Sequence, residues 1–352
     1  MQDVSLRLLP RAEIELATAN PNRALRTKDC LSCLRVIPSR RVPTLAEDVR
    51  SGLLDEPRSL PPKYFYDARG ARLFEKICTL PEYYPTRTET ALLRSAGRTI
   101  IDNVRPQRIL ELGSGAATKT RLLFDACESL DLGTVYAPFD VCEDMLQRSA
   151  AGLVRDYPWL EVTPLIGDFS AGLAGLPPQP GSTLYVFLGS SIGNFTPAAA
   201  VEFLRDIRAQ MHAGDALLIG FDRFKNAAIL HAAYNDSAGV TADFNRNLLH
   251  VLNGELGADF NPAAYRHEAL VNPVARRVEM YLVATTRQSI WLSALHCRLR
   301  LAAGERILTE LSHKYDRRDI GRLLTAADLA ASRHFTPANE WFSLVLATPA
   351  SA

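Results

Sequence analysis

Arg108-Ile109-Leu110-Glu111-Leu112-Gly113-Ser114-Gly115-Ala116-Ala117 is a short apolar run that stops on a pair of glycines. Ile and Leu bounded by a turn signal suit a strand buried on both faces. Gly113 and Gly115 let the chain turn sharply and approach a ligand closely. A helix is expected over residues 118–128. The unit then recurs. Residues 134–139 read as a strand ending at Asp140, with a helix over 142–157. A third strand covers 162–166 and ends near Asp168. A fourth, 184–188, runs into Gly189-Ser190-Ser191-Ile192-Gly193-Asn194. Pro197 suits the first position of a helix reaching residue 211, and a fifth strand covers 215–221. Strands alternating with helices mean a parallel sheet covered on both faces, a Rossmann-like α/β domain.

The flanks read differently. Residues 1–42 show little periodicity and are expected to be a poorly ordered extension. Residues 44–54 look helical, and Leu60-Pro61-Pro62-Lys63-Tyr64-Phe65-Tyr66-Asp67 is Pro-punctuated and aromatic. After Asp222 come helices at 227–234 and 240–253. Longer strands follow at 276–286, 289–301 and 306–315, a second α+β lobe. A helix at 319–331 and a strand at 341–347 are expected to return to the first sheet.

The chain has 352 residues, enough for two lobes. Lys plus Arg is 40 and Asp plus Glu is 39, a balance that argues against a nucleic-acid partner. Six cysteines in so long a chain are no disulfide framework. Cys30 and Cys33 lack the further ligands of a zinc site and read as plain thiols. The start lacks the layout of a signal peptide, and no apolar run approaches the roughly 20 residues of a membrane span. A cytoplasmic setting is the expectation. No HExxH-like pattern indicates a metal, and no GxSxG elbow indicates a hydrolase.

In an open α/β sheet, ligands bind beyond the carboxyl ends of the strands. Those ends carry Gly113, Asp140, Asp168 and Gly189. The glycine loop is neither the full GxGxxG fingerprint, since Thr118 stands at its last position, nor a P-loop. A nucleoside without a pyrophosphate is the natural ligand. Asp140 suits ribose hydroxyls, and Asp168 with Phe169 suits an adenine. Each piece alone is also an ordinary cap or turn. In order on successive strands they favour an adenosyl cofactor, and so a methyltransferase, over other Rossmann-like folds.

Longer strings carry a resemblance. They are Leu60 through Asp67, Leu80-Pro81-Glu82-Tyr83-Tyr84-Pro85-Thr86-Arg87, Glu111 through Gly115, Pro138-Phe139-Asp140, Gly167-Asp168-Phe169 and Phe187 through Asn194. Gly239-Val240-Thr241, Phe244-Asn245-Arg246-Asn247, Arg277-Val278-Glu279-Met280 and Thr309-Glu310-Leu311-Ser312 continue them. From about residue 43 the chain resembles the histidine N-α-methyltransferases of the ergothioneine pathway, which produce hercynine. The resemblance implies a class I methyltransferase with a seven-stranded sheet. It implies a cofactor domain, 88–223 with 315–352, and a histidine-binding lobe, 43–87 with 224–314. Cofactor contacts would fall to Tyr66, Gly113, Lys119, Asp140, Asp168 and Phe169. Substrate contacts would fall to Tyr83, Gly189, Asn194, Tyr234, Thr241, Met280, Glu310 and Ser312. Three methyl transfers to L-histidine from S-adenosylmethionine, by a monomer, are implied. Two departures stand out: Thr118, where the family carries an acid, and His313-Lys314-Tyr315, where it reads Cys-Lys-Phe.

Methyl transfer to an amine is an in-line displacement, so the protein chiefly holds the neutral nucleophile in place. Asn194 and Tyr234 are assigned to the substrate carboxylate. Tyr66 or Tyr83, with the Gly189 region, is assigned to the amine; Tyr66, Asn194 and Tyr234 are the catalytic candidates. Glu310 and Ser312 lie two apart on one strand, so both face one side. A carboxylate with a hydroxyl satisfies both nitrogens of an imidazole. Alternate polar residues also mark the wet face of a half-exposed strand, and only the resemblance decides between the two. The competing functions are methylation of another aromatic amino acid and a non-catalytic relative that binds the cofactor.

Overall fold

The computed structural model describes residues 33–178 and 180–350. The chain opens with β1 (Leu34–Arg35) and α1 (Leu45–Asp48), the latter continued by a wider turn over Val49–Leu53. Thr44 starts α1 through a reciprocal cap: the Glu47 N–H donates to Thr44 Oγ1 at 3.3 Å, and the Thr44 N–H donates to Glu47 Oε2 at 2.9 Å. A 3-10 turn at Pro62–Phe65 leads into α2 (Ala68–Thr79) and α3 (Tyr84–Val104). Then come β2 (Arg108–Leu112), α4 (Arg121–Ser129), β3 (Val135–Asp140), α5 (Glu143–Asp156), β4 (Glu161–Val162), β5 (Leu165–Ile166), β6 (Thr183–Phe187), α6 (Pro197–Gln210) and β7 (Ala216–Asp222).

Between β7 and the last strands lie α7 (Ala227–Tyr234), α8 (Val240–Leu256), β8 (Tyr265–Asn272), β9 (Arg277–Ala284), β10 (Gln288–Leu292), β11 (Cys297–Leu301) and β12 (Arg306–His313). The chain closes with α9 (Arg317–Ala326), β13 (Leu329–Phe335) and β14 (Phe342–Pro349).

The main sheet runs β1-β5-β3-β2-β6-β7-β14-β13, with β4 also on β3. Pairs from β1 to β7 are parallel, and β14 is antiparallel to both β7 and β13. Seven strands make the expected Rossmann-like sheet; β1 and β4, of two residues each, bring it to nine. The expected strand over 162–166 is split because Thr163-Pro164 interrupts it, and proline offers no N–H to a ladder. The expected strand over 289–301 is instead the hairpin β10–β11, turned at Ser293–Leu295 with His296 at φ 49°. The expected helix to residue 331 stops at Ala326, and the chain from Leu329 is the outer strand β13. Residues 33–42 are not loose: Val36 is buried, its N–H donates to Ile166 O at 3.0 Å, and Arg40 Nε donates to Ser170 O at 2.9 Å. The rest of the expected extension, with Cys30, lies outside the described residues.

Apolar side chains gather in three buried groups. Two flank the main sheet, one with Phe139, Phe187, Phe203 and Phe221, the other with Phe124, Tyr136 and Phe342. The third joins Val49, Leu53, Phe65 and Ile77 to Phe244, Leu248, Met280 and Ile307. Phe65 meets Phe244 with ring centroids 4.6 Å apart. Fully burying a side chain of this kind stabilises by about 1.5–3 kcal/mol, which secures an early segment of the chain to a late one. No helix among the described residues is long and apolar enough to cross a membrane.

Candidate functional site

The carboxyl end of β2 makes the first wall. Gly113 and Gly115 take φ of 68° and 50°, a left-handed region that side chains resist. A Cβ on Gly115 would meet nothing within 4 Å, so the loop borders open space. Glu111 anchors the loop from below. Its buried carboxylate accepts from Thr120 Oγ1 at 2.7 Å and from the Tyr136 hydroxyl, and burial pushes it up to about 7. Asp140 ends β3; its Oδ2 accepts the Gly115 N–H at 2.9 Å and its Oδ1 the Cys142 N–H at 3.1 Å. Asp168 accepts the Ser170 N–H at 2.8 Å. Phe169 is set edge-on to Phe187, with centroids 5.6 Å apart. Ser114 Oγ is buried without a protein partner. A cradle of glycine backbone, two strand-end carboxylates, an aromatic face and one orphaned hydroxyl fits an adenosyl group.

Lys119 lies near this wall and is only partly exposed. It pairs with Glu89, which is fully buried on α3. Glu89 also accepts the Gly189 N–H at 2.9 and 3.0 Å. The Gly189 N–H is therefore committed to the protein, and its carbonyl is the group it can offer a ligand. Lys63 Nζ stands 3.8 Å from Asp168 Oδ2 and 3.4 Å from Asp48 Oδ2, which ties the Pro-punctuated segment to the cofactor wall.

The second wall comes from α7, α8, β9 and β12. Glu310 and Met280 are directly paired across β12 and β9. Glu310 is held up at about 7 by burial, against the pull of Lys314 and a hydrogen bond from the Asn194 side chain. Ser312 Oγ lies 2.7 Å from the Tyr234 hydroxyl. Tyr83 and Tyr234 meet edge-to-face at 6.4 Å. Thr241 is buried at the start of α8, its N–H donating to Asp236 Oδ1 at 2.7 Å. Tyr66 joins the walls: its hydroxyl is pushed well up by burial and by the negative fields of both Glu310 and Asp140. Tyr83 is likewise pushed up, by burial and then by Tyr234, Cys78 and Glu310. Both phenols are therefore neutral donors rather than bases near pH 7.

The structure thus joins Asn194 to Glu310 and Tyr234 to Ser312, with Met280 opposite Glu310. Gly113 lies against Phe169 in the first wall, and Tyr66 feels charge from both walls. Three further residues escape the sequence reading. Asp222 ends β7 and is fully buried. Its carboxylate takes Lys314 at 2.8 Å, Lys225, and the Tyr84 hydroxyl at 2.7 and 2.9 Å. The strand-end rule that selects Asp140 and Asp168 also reaches Asp222. Lys314 continues the Glu310, Ser312 alternation by one step. Glu89 stands among Thr86, Arg87, Thr88 and Thr90 and carries no such signal. Among the described residues, no cluster of three or more His, Cys, Asp or Glu side chains is arranged to hold a metal.

Residues 45–349 match the family model for the SAM-dependent, histidine-specific methyltransferases. The histidine N-alpha-methyltransferase of Mycolicibacterium smegmatis is 45% identical over 303 residues, 86% of this chain and 94% of that one. Its Mycobacterium tuberculosis counterpart is 44% identical over the same shares. Ergothioneine biosynthesis protein 1 of Schizosaccharomyces pombe is 33% identical over 208 residues, covering 56% of this chain and 27% of that protein.

Proposed function

We infer the function from family and pocket together: the chain belongs to the histidine-specific, S-adenosylmethionine-dependent methyltransferases, and we propose that it trimethylates the α-amine of free L-histidine to hercynine, the first step of ergothioneine biosynthesis. The observation that carries the substrate is the meeting of Glu310, Ser312, Tyr234 and Asn194 in one buried corner. A carboxylate and a hydroxyl side by side suit the two nitrogens of an imidazole.

The proposed division has 43–87 with 224–314 gripping the amino acid and 88–223 with 315–352 holding the cofactor. The third apolar group supports it, because that group draws on Val49–Tyr84 and Leu230–Ile307. Gly113, Lys119, Asp140, Asp168 and Phe169 would hold the cofactor, which supplies a methyl group on a sulfonium. Tyr66 and Tyr83, neutral donors at the junction, would orient the amine. Asn194 would steady the carboxylate, Tyr234, whose hydroxyl is held by Ser312 and Lys314, would line the ring pocket rather than meet the carboxylate, Met280 would flank the ring, and Thr241 and the Gly189 carbonyl would line the remaining wall. The buried carboxylates Glu89 and Asp222 are matched by lysines, Glu89 by Lys119 and Asp222 by Lys225 and Lys314. Neither therefore acts as a bare negative charge that would hold the amine protonated, and a neutral amine is the nucleophile.

The test is turnover with S-adenosylmethionine against the twenty amino acids, read by mass. A histidine-only gain of three methyl groups is expected. Gain on another aromatic amino acid would overturn the pocket reading, and cofactor binding without turnover would indicate a non-catalytic relative. Glu310→Ala with Ser312→Ala should raise the KM for histidine strongly and leave cofactor affinity unchanged. An equal loss of cofactor affinity would refute the placement.

A further inference from the structure

The Lys314 side chain is 1% exposed and surrounded by oxygen. Its Nζ lies 2.8 Å from Asp222 Oδ2, 2.8 Å from the Tyr234 hydroxyl and 2.8 Å from Ser312 Oγ. An ammonium has three protons and no lone pair, so these three contacts use it completely. Both hydroxyl oxygens therefore accept from Lys314.

Neutralising Asp222 does not require Lys314. Lys225 already pairs with that carboxylate, and the Tyr84 hydroxyl donates to it. A second buried ammonium at the same acid is surplus to charge balance and costs desolvation. What it adds is the fixed direction of two hydrogen bonds.

That direction decides the third. Tyr234 and Ser312 stand 2.7 Å apart, and one of them donates. A phenol is far more acidic than an aliphatic alcohol and is the better donor, so Tyr234 gives its proton to Ser312. Ser312 Oγ then has both lone pairs filled, by Lys314 and Tyr234, and its own proton must point away from them, toward the pocket.

We propose that Lys314 is a positioning residue for substrate choice: by locking Ser312 as a donor, it makes the pocket select the neutral imidazole ring. This rests on the histidine reading above. A neutral ring carries one N–H and one bare nitrogen; Glu310 takes the first and Ser312 donates to the second. A doubly protonated ring would press a second N–H on an oxygen with no lone pair left, beside an ammonium. An indole, with one N–H and no acceptor, would leave the Ser312 proton unpaired, a mismatch that discriminates strongly.

The experiment uses the whole protein with S-adenosylhomocysteine and L-histidine labelled with 15N in the ring, observed by NMR at pH 6, where more than half of the free ring is charged. The bound ring is expected to show one protonated and one bare nitrogen; two protonated nitrogens would overturn the proposal. In kinetics, Lys314→Met should raise the KM for histidine by about tenfold or more, the loss of a buried charge-assisted bond. Its kcat and its affinity for S-adenosylmethionine should change much less. Added to Ser312→Ala, Lys314→Met should have almost no further effect on KM, because the group it acts through is gone; multiplying effects would mean a merely structural role and would overturn the proposal. Should Lys314→Met fail to fold, Tyr234→Phe frees one lone pair on Ser312 and keeps the ion pair. Its bound ring should then gain the second proton at pH 6, and an unchanged ring refutes the polarity. Failure of the unaltered protein to bind histidine at all would sink the functional reading itself, an outcome distinct from these.

Discussion

Replacing Glu310 by Gln should make the free protein more stable above neutral pH while damaging its hold on histidine. Burial raises the Glu310 carboxyl from an ordinary 4.5 to about 7. Between those values the folded chain holds a proton that the unfolded chain has released, so stability falls as pH rises through the window. Each tenfold in ionisation is about 1.36 kcal/mol, so the fully charged carboxylate costs the folded chain roughly 3 kcal/mol at most. Glutamine keeps the shape and removes the charge. Glu310→Gln should therefore be about 1–3 kcal/mol more stable than the parent at pH 8, and nearly equal to it at about pH 3.5, where Glu310 is neutral in both states. Its KM for histidine should rise by about tenfold or more, from loss of a charge-assisted hydrogen bond. Urea unfolding at the two pH values, with histidine kinetics at pH 8, makes the comparison. A variant whose stability relative to the parent is the same at both pH values would show that the buried charge at Glu310 is not the cause, and the account of this pocket would fail.

Other outcomes follow from the same geometry. Asp140→Ala removes the acceptor of the Gly115 and Cys142 N–H groups as well as the proposed ribose ligand; titration calorimetry should show S-adenosylmethionine binding weakened by about tenfold or more, and unchanged affinity would refute the assignment. Glu89→Leu strands the Lys119 ammonium and orphans the Gly189 N–H; the expected cost is about 3–5 kcal/mol in chemical unfolding, and a loss below about 1 kcal/mol, the range of an exposed pair, would contradict the burial. Gly193→Ala would place a Cβ 2.7 Å from the His313 carbonyl oxygen on β12. Backbone on backbone cannot yield cheaply, so the KM for histidine should rise with little change in cofactor affinity, and an unaltered KM would show that this contact does not position Glu310 and Ser312.

The legible parts of the fold are those where local and tertiary demands coincide. β2 falls on Arg108–Leu112 as expected because the apolar run ends at a glycine that must turn. α7 falls on Ala227–Tyr234 because its ends carry their own punctuation. β13 is different: Leu329-Ala330-Ala331-Ser332-Arg333-His334-Phe335 is a mostly exposed outer strand, so burial leaves no alternation to read. α3 escapes notice because its buried stripe is interleaved with Thr and Arg. In the site, acids at strand ends announce themselves by position. Lys314 announces itself only once the alternation from Glu310 is extended, and Glu89 not at all, since its meaning comes from Lys119 and Gly189, which approach from distant parts of the chain.

The pairing of early with late chain has a consequence for how the molecule is made. Val49, Leu53, Phe65 and Ile77 find their apolar neighbours in a stretch running from Leu230 to Ile307. At ribosomal speeds of about 5–20 residues per second, those side chains leave the tunnel roughly 10–40 s before their partners do. Until then they must stay uncommitted, or sheltered by a chaperone, while the intervening sheet is synthesised. The last part of that group to arrive is β12, the strand that carries Glu310, so the amino-acid pocket closes at the same moment as the lobe around it. A ribosome that stalls before residue 240 would release a chain with a nearly complete adenosyl cradle and a sticky, half-built flank, a natural target for quality control.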